Sequence, residues 1–275
     1  MPLRALGNTG VKVPIVGLGT AELGRPDWKV AVAVVRRAVE LGITYIDTAP
    51  TYGRTRSEER IGIALGGARK NVFLTTKTLE RKRDGALSEL DQSLKRLRTD
   101  HVDLWQFHAL RSDDDNDAIL KKGGALEAGL QAQKDGRVRY LGITGHYDPT
   151  VFRNMLRQQR FDTLLIPLNC IDPWHRSFET TLLPYANNKN VGVIAMKVYC
   201  SGRLPKDSIV TAEDCLRYTC GLPAATTIVG CQSVREVELV AHVARNLKPM
   251  DGDERKKLRA ATKPHSPDLE WYKRK

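Results

Sequence analysis

The feature that most constrains the fold is a two-part pattern that recurs about eight times along the chain. In each repeat, a short run of apolar or β-branched residues precedes a segment with helical spacing. The runs begin 24 to 38 residues apart, an interval that fits one strand plus one helix. They are Ile15–Leu18, Tyr45–Asp47, Val72–Thr76, Val102–His108, Tyr140–Thr144, Leu164–Leu168, Val191–Met196 and Ala225–Val229.

The segments between the runs carry helix signals. Apolar residues recur at intervals of three and four, as in the series Ala86, Leu90, Leu94 and Leu97. Helix start signals accompany this spacing: Asp148 before Pro149, Thr211 three residues before Asp214, and Ser233 three residues before Glu236. The pattern therefore predicts alternating strands and helices.

In these runs apolar residues do not alternate with polar ones, which indicates parallel strands covered by helices on the outside. The number of runs favours a closed (β/α)8 TIM barrel. A doubly wound sheet is the rival, but Gly17–Thr20 stops short of the GxGxxG fingerprint. The turn residues 7–10 predict an N-terminal β-hairpin that plugs the barrel bottom. We expect one domain over residues 1–275, with the hairpin at 1–13, the barrel at 14–249, and a C-terminal extra helix and tail at 250–275.

Composition excludes several classes of protein. Of the 275 residues, 41% are hydrophobic and 28% are charged, which is ordinary for a globular chain. No apolar run reaches the roughly 18–20 residues that span a bilayer, and the N-terminus has no signal-peptide core. The five cysteines form no CxxC motif, so neither a disulfide framework nor a metal site is indicated. We expect a cytoplasmic protein without membrane contact or bound metal.

The net charge of +12 raises the question of nucleic-acid binding. Residues 245–275 hold ten Lys/Arg and five Asp/Glu, a net +5, which leaves +7 spread over the preceding 244 residues. No basic stripe with interleaved aromatic residues is present. The excess is better explained by a solvated surface and a basic tail that helps to attract a phosphorylated ligand, so we expect no nucleic-acid partner.

Catalytic groups of such barrels lie where strands end and the following loops begin. Asp47 ends the second predicted strand, with Tyr52 in the next loop, while Lys77 and His108 end the third and fourth strands. A lysine ammonium stabilises a phenolate and lowers the pKa of a tyrosine, and a buried lysine needs a carboxylate to stay charged. We expect Asp47 to keep Lys77 charged, Tyr52 to donate a proton to a carbonyl oxygen, and His108 to orient that oxygen. Singly, each residue has a structural explanation, as a cap, a surface group or a core histidine.

These residues resemble the aldo-keto reductase family over nearly the whole chain. The block Gly42–Gly53, followed by Glu58, Gly62 and Leu65, is similar to the family's first signature, and Lys77 and His108 complete its catalytic tetrad with Asp47 and Tyr52. The resemblance implies a nicotinamide dinucleotide as the hydride source, usually NADPH, with NADH not excluded. It also implies an aldehyde or ketone as the small-molecule substrate. The sequence does not determine the oligomeric state.

The resemblance implies a set of cofactor contacts. Thr20 matches a cofactor-facing position, and Thr144 stands where the family commonly has a serine that contacts the carboxamide. Gly145 and Leu165 stand where the family has two further residues that contact the carboxamide. Asn169, on the same strand face as Leu165, is expected to make such a contact instead. Met196 replaces a stacking tyrosine, and Lys197 is a candidate for the pyrophosphate.

The last strand leads into a turn at Gly230 whose helix begins near Ser233, and the helix dipole there suits a phosphate. Ser233 and Glu236 can equally form a capping box. An arginine that contacts the 2′-phosphate in many relatives falls near Glu236, with Arg235 one residue away, which favours NADP over NAD.

Candidates for the substrate pocket are Trp174, His146 and Tyr199, each of which follows a strand end. Trp271 and Tyr272 either fold over the mouth or decorate a mobile tail. An alternative to catalysis remains open, because some barrels of this family are nucleotide-sensing regulatory subunits with little turnover.

Overall fold

Eight parallel strands close into a barrel in the computed structural model, which describes residues 1–207 and 209–274. The barrel order is β10-β3-β4-β5-β6-β7-β8-β9, and β10 also pairs with β9. This confirms the predicted fold class. The barrel strands are β3 Val16–Gly19, β4 Tyr45–Asp47, β5 Phe73–Thr78, β6 Val102–Phe107, β7 Val138–Thr144, β8 Thr163–Pro167, β9 Gly192–Met196 and β10 Thr226–Gly230.

Helices surround the strands and bury one apolar face each, as the spacing of three and four residues requires. In the helix Arg83–Leu97, for example, Ala86, Leu90, Leu94 and Leu97 are buried. The α-helices are α1 Trp28–Glu40, α2 Arg56–Leu65, α3 Arg83–Leu97, α4 Asp113–Leu120, α5 Ala125–Lys134, α6 Pro149–Gln158, α7 Phe178–Thr181, α8 Leu183–Asn188, α9 Arg203–Lys206, α10 Ala212–Cys220, α11 Val234–Arg245, α12 Gly252–Thr262 and α13 Ser266–Leu269.

The three predicted helix starts are capped by their own side chains. Asp148 accepts a hydrogen bond from the backbone N–H of Thr150 at the start of α6. Thr211 caps α10 in the same way, and Ser233 caps α11 by accepting from the N–H of Glu236 at 3.3 Å. Each cap satisfies one of the N–H groups that a helix start leaves without a partner.

An antiparallel hairpin of β1 Leu3–Ala5 and β2 Lys12–Pro14 lies against the barrel. Leu6 is buried in the cluster of residues that fills the barrel interior, and the N–H of Asn8 donates to the carbonyl of Asn190 just before β9. Gly7 has φ +54°, and a Cβ there would lie 2.3 Å from the backbone nitrogen of Gly192. The close approach therefore requires glycine at position 7.

The C-terminal segment packs onto the barrel. After α12 the chain continues through a 3₁₀ turn, α13 and a second 3₁₀ turn at Trp271–Lys273. Tyr272 is 6% exposed, whereas Trp271 is 47% exposed. Of these two residues, Tyr272 is thus packed onto the barrel, whereas Trp271 remains half-exposed.

The described ranges 1–207 and 209–274 contain neither a candidate membrane-spanning helix nor a candidate metal site. No helix there is long and apolar enough to cross a membrane. No group of three or more His, Cys, Asp or Glu side chains there is arranged to hold a metal ion.

Arg4 ties the hairpin to the barrel, because its guanidinium donates to the carbonyls of Cys220, Leu222 and Ala224 at 2.6–3.0 Å. We expect Arg4→Met to lower the free energy of unfolding by about 1.5–3 kcal/mol, since three carbonyls lose a charged donor. Urea denaturation measures this change. Lys12→Met, an exposed change on the same hairpin, is the control, and equal losses for both variants would contradict the role of Arg4.

Candidate active site

The four predicted catalytic side chains come from three neighbouring strands. Asp47 is the last residue of β4, Lys77 lies one residue before the end of β5, and His108 directly follows β6. Tyr52 lies in the loop after β4. Because β4, β5 and β6 are adjacent and parallel, their carboxyl ends meet at one end of the barrel. The fold therefore brings all four residues to the same mouth.

Lys77 and Asp47 form an ion pair that is sealed from solvent. The Lys77 Nζ lies 2.5 Å from Asp47 Oδ1 and also donates to the carbonyl of Thr48 at 2.7 Å, and both charged side chains are 1% exposed. Burial lowers the pKa of Lys77, but Asp47 and Tyr52 outweigh this effect, and the net pKa is raised. Lys77 therefore stays charged at neutral pH although its side chain is closed to solvent.

Two residues that sequence reasoning missed hold the other oxygen of Asp47. Thr75 donates its hydroxyl to Asp47 Oδ2 at 2.8 Å, and Gln106 donates its amide to the same atom at 3.0 Å. Strand periodicity contains the signal, because Thr75 lies two residues before Lys77 and Gln106 two before His108. Each pair therefore shares one strand face, which points into the barrel.

Tyr52 lies directly beside this ion pair. The Lys77 Nζ is 4.7 Å from the centroid of the Tyr52 ring. Burial raises the pKa of Tyr52, and the opposing effect of Lys77 does not outweigh it. This corrects the expectation that Lys77 lowers the pKa below its ordinary value. The phenol stays protonated at neutral pH, which is the form that can donate a proton.

One histidine, His108, lies against the Tyr52 ring, and a second, His146, lines the same cavity as Tyr52. The ring of His108 meets the Tyr52 ring edge-on, with centroids 6.2 Å apart. Burial, followed by Lys77 and His146, holds the pKa of His108 well below its usual value. Burial and the neighbouring Lys197 lower the pKa of His146 to about 3. Both imidazoles are therefore neutral at pH 7 and able to donate one hydrogen bond without carrying charge.

A cleft of about 560 Å³ runs from Tyr52 and Asp47 towards the start of α11. Of the predicted cofactor residues, the cleft is lined by Thr20, Met196, Lys197 and Gly230, and of the predicted substrate residues by His146 and Tyr199. Its size is within the range of small-molecule sites. The hydroxyl of Thr20 is already engaged, because it donates to the carbonyl of Asp47 at 2.8 Å.

The predicted phosphate site at α11 differs from the expectation. Ser233 and the exposed Arg235 do not line the cleft, and Ser233 acts as the helix cap. Glu236 lines the cleft instead, and its carboxylate accepts the N–H of Gln232 at 2.7 Å. The chain's own carboxylate thus occupies an N–H group that was expected to face a phosphate.

Thr144 and Asn169 differ in their free hydrogen-bonding capacity. Thr144 Oγ1 is buried at the end of β7 and has no hydrogen-bond partner within the described part of the chain. Asn169, in contrast, is fully engaged: its amide donates to Lys197 O and Tyr272 Oη, both at 3.0 Å, and its oxygen accepts two backbone N–H groups. The expectation that Asn169 contacts a carboxamide is therefore corrected, because both of its amide hydrogens already donate to acceptors in the chain.

Trp174 also differs from the expectation. It is 36% exposed, lies under the Lys263 ammonium at 4.9 Å, and does not line the cleft. Tyr272 instead contacts a residue that lines the cleft, because its ring lies edge-on to that of His146, with centroids 6.3 Å apart. Nothing in the local sequence around residue 272 indicates which part of the barrel it contacts.

Comparison with known proteins gives consistent results. A sequence profile described as the Aldo/keto reductase family matches residues 15–217. The chain is 35% identical to L-galactose dehydrogenase of Arabidopsis thaliana over 216 residues, which cover 74% of this chain and 66% of that protein. It is 29% identical to aldo-keto reductase YhdN of Bacillus subtilis over 225 residues, which cover 74% of this chain and 64% of that protein. These matches thus span slightly less than two thirds of each relative.

Solved structures agree on the fold. An aldo-keto reductase of Bacillus halodurans in its holo form superposes with a TM-score of 0.81 at 24% identity, over 95% of this chain and 96% of that chain. An aldo-keto reductase of Klebsiella pneumoniae in complex with NADPH gives a TM-score of 0.78 at 22% identity, over 96% and 97% of the two chains. Since the family profile covers most of the sequence, the chain belongs to the aldo-keto reductase family.

Proposed function

We propose that this protein is an NADPH-dependent reductase that converts an aldehyde or a ketone to an alcohol. The observation that carries the proposal is the position of the Tyr52 phenol ring, 4.7 Å from the ammonium of the buried Lys77–Asp47 pair, with the His108 ring at its edge. Related proteins support it, because they include a dehydrogenase and a reductase in complex with NADPH. A reduced nicotinamide supplies the hydride when it is bound.

Each side chain has a distinct role in this proposal. Tyr52 donates its proton to the carbonyl oxygen as that oxygen gains negative charge. Lys77 then stabilises the resulting phenolate, because its ammonium lies against the ring and cannot be neutralised while Asp47 is ionised. His108 donates a neutral hydrogen bond that orients the carbonyl.

The residues of the cleft fit a dinucleotide. Thr144 Oγ1, at the end of β7 and outside the cleft lining, is a buried hydroxyl without a partner in residues 1–207 and 209–274, and it is our candidate to meet a carboxamide. Lys197 lines the cleft, and its ammonium is our candidate to meet a pyrophosphate. Thr144, Met196 and Lys197 are thus our candidates for the nicotinamide half, and Gly230 for the adenosine half. The five cysteines are free and buried thiols, which supports a cytoplasmic enzyme.

Tyr52→Phe tests the proposal most directly. We expect carbonyl reduction to fall about 100- to 10,000-fold because the proton donor is lost, with little change in NADPH affinity. NADPH oxidation over a panel of aldehydes and ketones measures the first, and fluorescence titration measures the second. Tyr185→Phe, the same change on α8, is the control. A stable NADPH complex with negligible turnover of every carbonyl in the unaltered protein would support a nucleotide-sensing subunit instead.

Lys77→Met tests the ion pair. We expect activity at pH 7 to be nearly lost and the free energy of unfolding to fall by about 3–5 kcal/mol, since Asp47 remains buried without its cation. Adding Asp47→Asn removes the uncompensated charge, so the double variant is expected to regain stability but not activity. Unchanged rates at pH 7 in the single variant would refute the role of Lys77.

A substitution at Glu236 tests whether the protein prefers NADPH or NADH. Its carboxylate lines the cleft near the α11 start, where it repels a 2′-phosphate. We expect Glu236→Gln to tighten NADPH binding about fivefold relative to NADH, measured by titration with each dinucleotide. Glu238→Gln, on the same helix but paired with Arg37, is the control. Equal shifts for both dinucleotides would mean that Glu236 acts on the backbone rather than on the phosphate.

A further inference from the structure

A second buried lysine cluster lies near the end of the chain, outside the catalytic group. Lys273 is fully buried, and its Nζ donates to Asp172 Oδ1 at 2.7 Å, Glu270 Oε1 at 2.6 Å and the carbonyl of His175 at 2.6 Å. All three ammonium protons therefore have an acceptor. Asp172 additionally accepts the hydroxyl of Ser177, which fixes the loop after β8 to the same cluster.

Such a cluster is a costly way to attach a chain end. Removing an ammonium and two carboxylates from water carries a desolvation penalty of several kcal/mol per ion, which the ion pairs only partly offset. An apolar side chain would anchor the segment at lower cost. What the cluster adds is a defined position for the two residues that precede Lys273, Trp271 and Tyr272.

Both aromatic residues contact Lys197. The Lys197 Nζ lies 5.3 Å from the ring centroid of Trp271 and 5.9 Å from that of Tyr272. Asn169 adds a second link, because one amide group donates to both Tyr272 Oη and the carbonyl of Lys197 at 3.0 Å. Lys197 is thus held at its backbone and at its ammonium by groups tied to the C-terminal segment.

The conformation of Lys197 requires such support. Its φ is +63°, in the left-handed region that non-glycine residues seldom adopt. Lys197 lines the cleft and forms no ion pair within the described ranges, since the Glu22 carboxylate, which lines the same cleft and acts on its charge, pairs with Arg25 instead. Lys197 is therefore a cation whose charge remains available to an anion in the cleft.

We propose that Lys273 is a positioning residue for dinucleotide binding, which acts by holding Trp271 and Tyr272 so that Lys197 faces the pyrophosphate in the cleft. The inference rests on the proposed function, because the anion is that of NADPH. It differs from the proposed chemistry, because Lys273 contacts neither the catalytic group nor the cleft.

A double-mutant cycle tests the coupling, with NADPH affinity measured by fluorescence titration. We expect Lys197→Met and Lys273→Met each to weaken binding about tenfold, and the combined variant to bind no more weakly than Lys197→Met alone. We also expect both single variants to show a smaller loss of affinity as ionic strength rises than the unaltered protein, because the screened contact is already gone. A purely structural role of Lys273 would not change this salt dependence.

Two further variants make the test independent of folding defects. Tyr272→Leu removes the ring beside Lys197 but leaves the ion cluster intact, and we expect it to weaken NADPH binding in the same direction. Lys263→Met removes an equal charge from the C-terminal segment at Trp174, away from Lys197, and we expect it to leave the affinity unchanged.

The outcomes separate the two proposals. Additive losses in the cycle, unchanged affinity in Lys273→Met and Tyr272→Leu, or an equal loss in Lys263→Met would each overturn the positioning role while leaving the reductase proposal intact. Tighter binding in Lys273→Met would show that the segment opposes the dinucleotide, which also overturns it. Failure of the unaltered protein to bind NADPH would overturn both proposals.

Discussion

The Lys77–Asp47 ion pair is the interaction on which the rest of the site depends. Neither charge is stable in the dry barrel interior alone, so the two must meet, and they meet only if β4 and β5 run side by side in the observed register. Thr75 and Gln106 then fix the remaining oxygen of Asp47. A phenol placed against such a pair stays protonated through burial, yet has a cation ready for its conjugate base. The fold thus prepares a proton donor without any charge exposed to solvent.

The architecture could be predicted because it depends on local periodicity, that is, on apolar runs that alternate with segments of helical spacing. Each apolar run became a barrel strand with bounds shifted by at most about two residues, as for β5, which extends past Thr76 to Thr78. Since parallel strands end at one mouth, the strand ends alone were sufficient to bring Asp47, Lys77 and His108 together. Their chemical roles, and that of Tyr52, stay predictions. The net pKa of Tyr52 could not be deduced, because it depends on the degree of burial, which spacing does not give.

The cofactor side was harder to predict, because its contacts join distant parts of the chain. Strand periodicity placed Asn169 on a plausible face, but its amide is occupied by Tyr272, 103 residues away. At the α11 start the sequence left open both a phosphate site and a cap by Ser233 and Glu236; the structure has Ser233 as the cap, and the Glu236 carboxylate takes the N–H of Gln232. In both cases the residue type and spacing were informative about position, and the identity of the hydrogen-bonding partner was decided by packing. Spacing cannot report which partners a folded chain supplies to itself.

Three lysines of the chain differ in whether a carboxylate pairs with their positive charge. Lys77 and Lys273 are buried and neutralised by carboxylates, so neither can attract a ligand by its charge. Lys197 is partly buried, its pKa is lowered mainly by burial, and its ammonium lies against two aromatic rings, while Glu22 acts on its charge without forming an ion pair. A ring face stabilises a cation without cancelling its charge, unlike a carboxylate. Paired lysines therefore set the geometry of the mouth, while the lysine held by aromatic rings keeps its charge available to an anion.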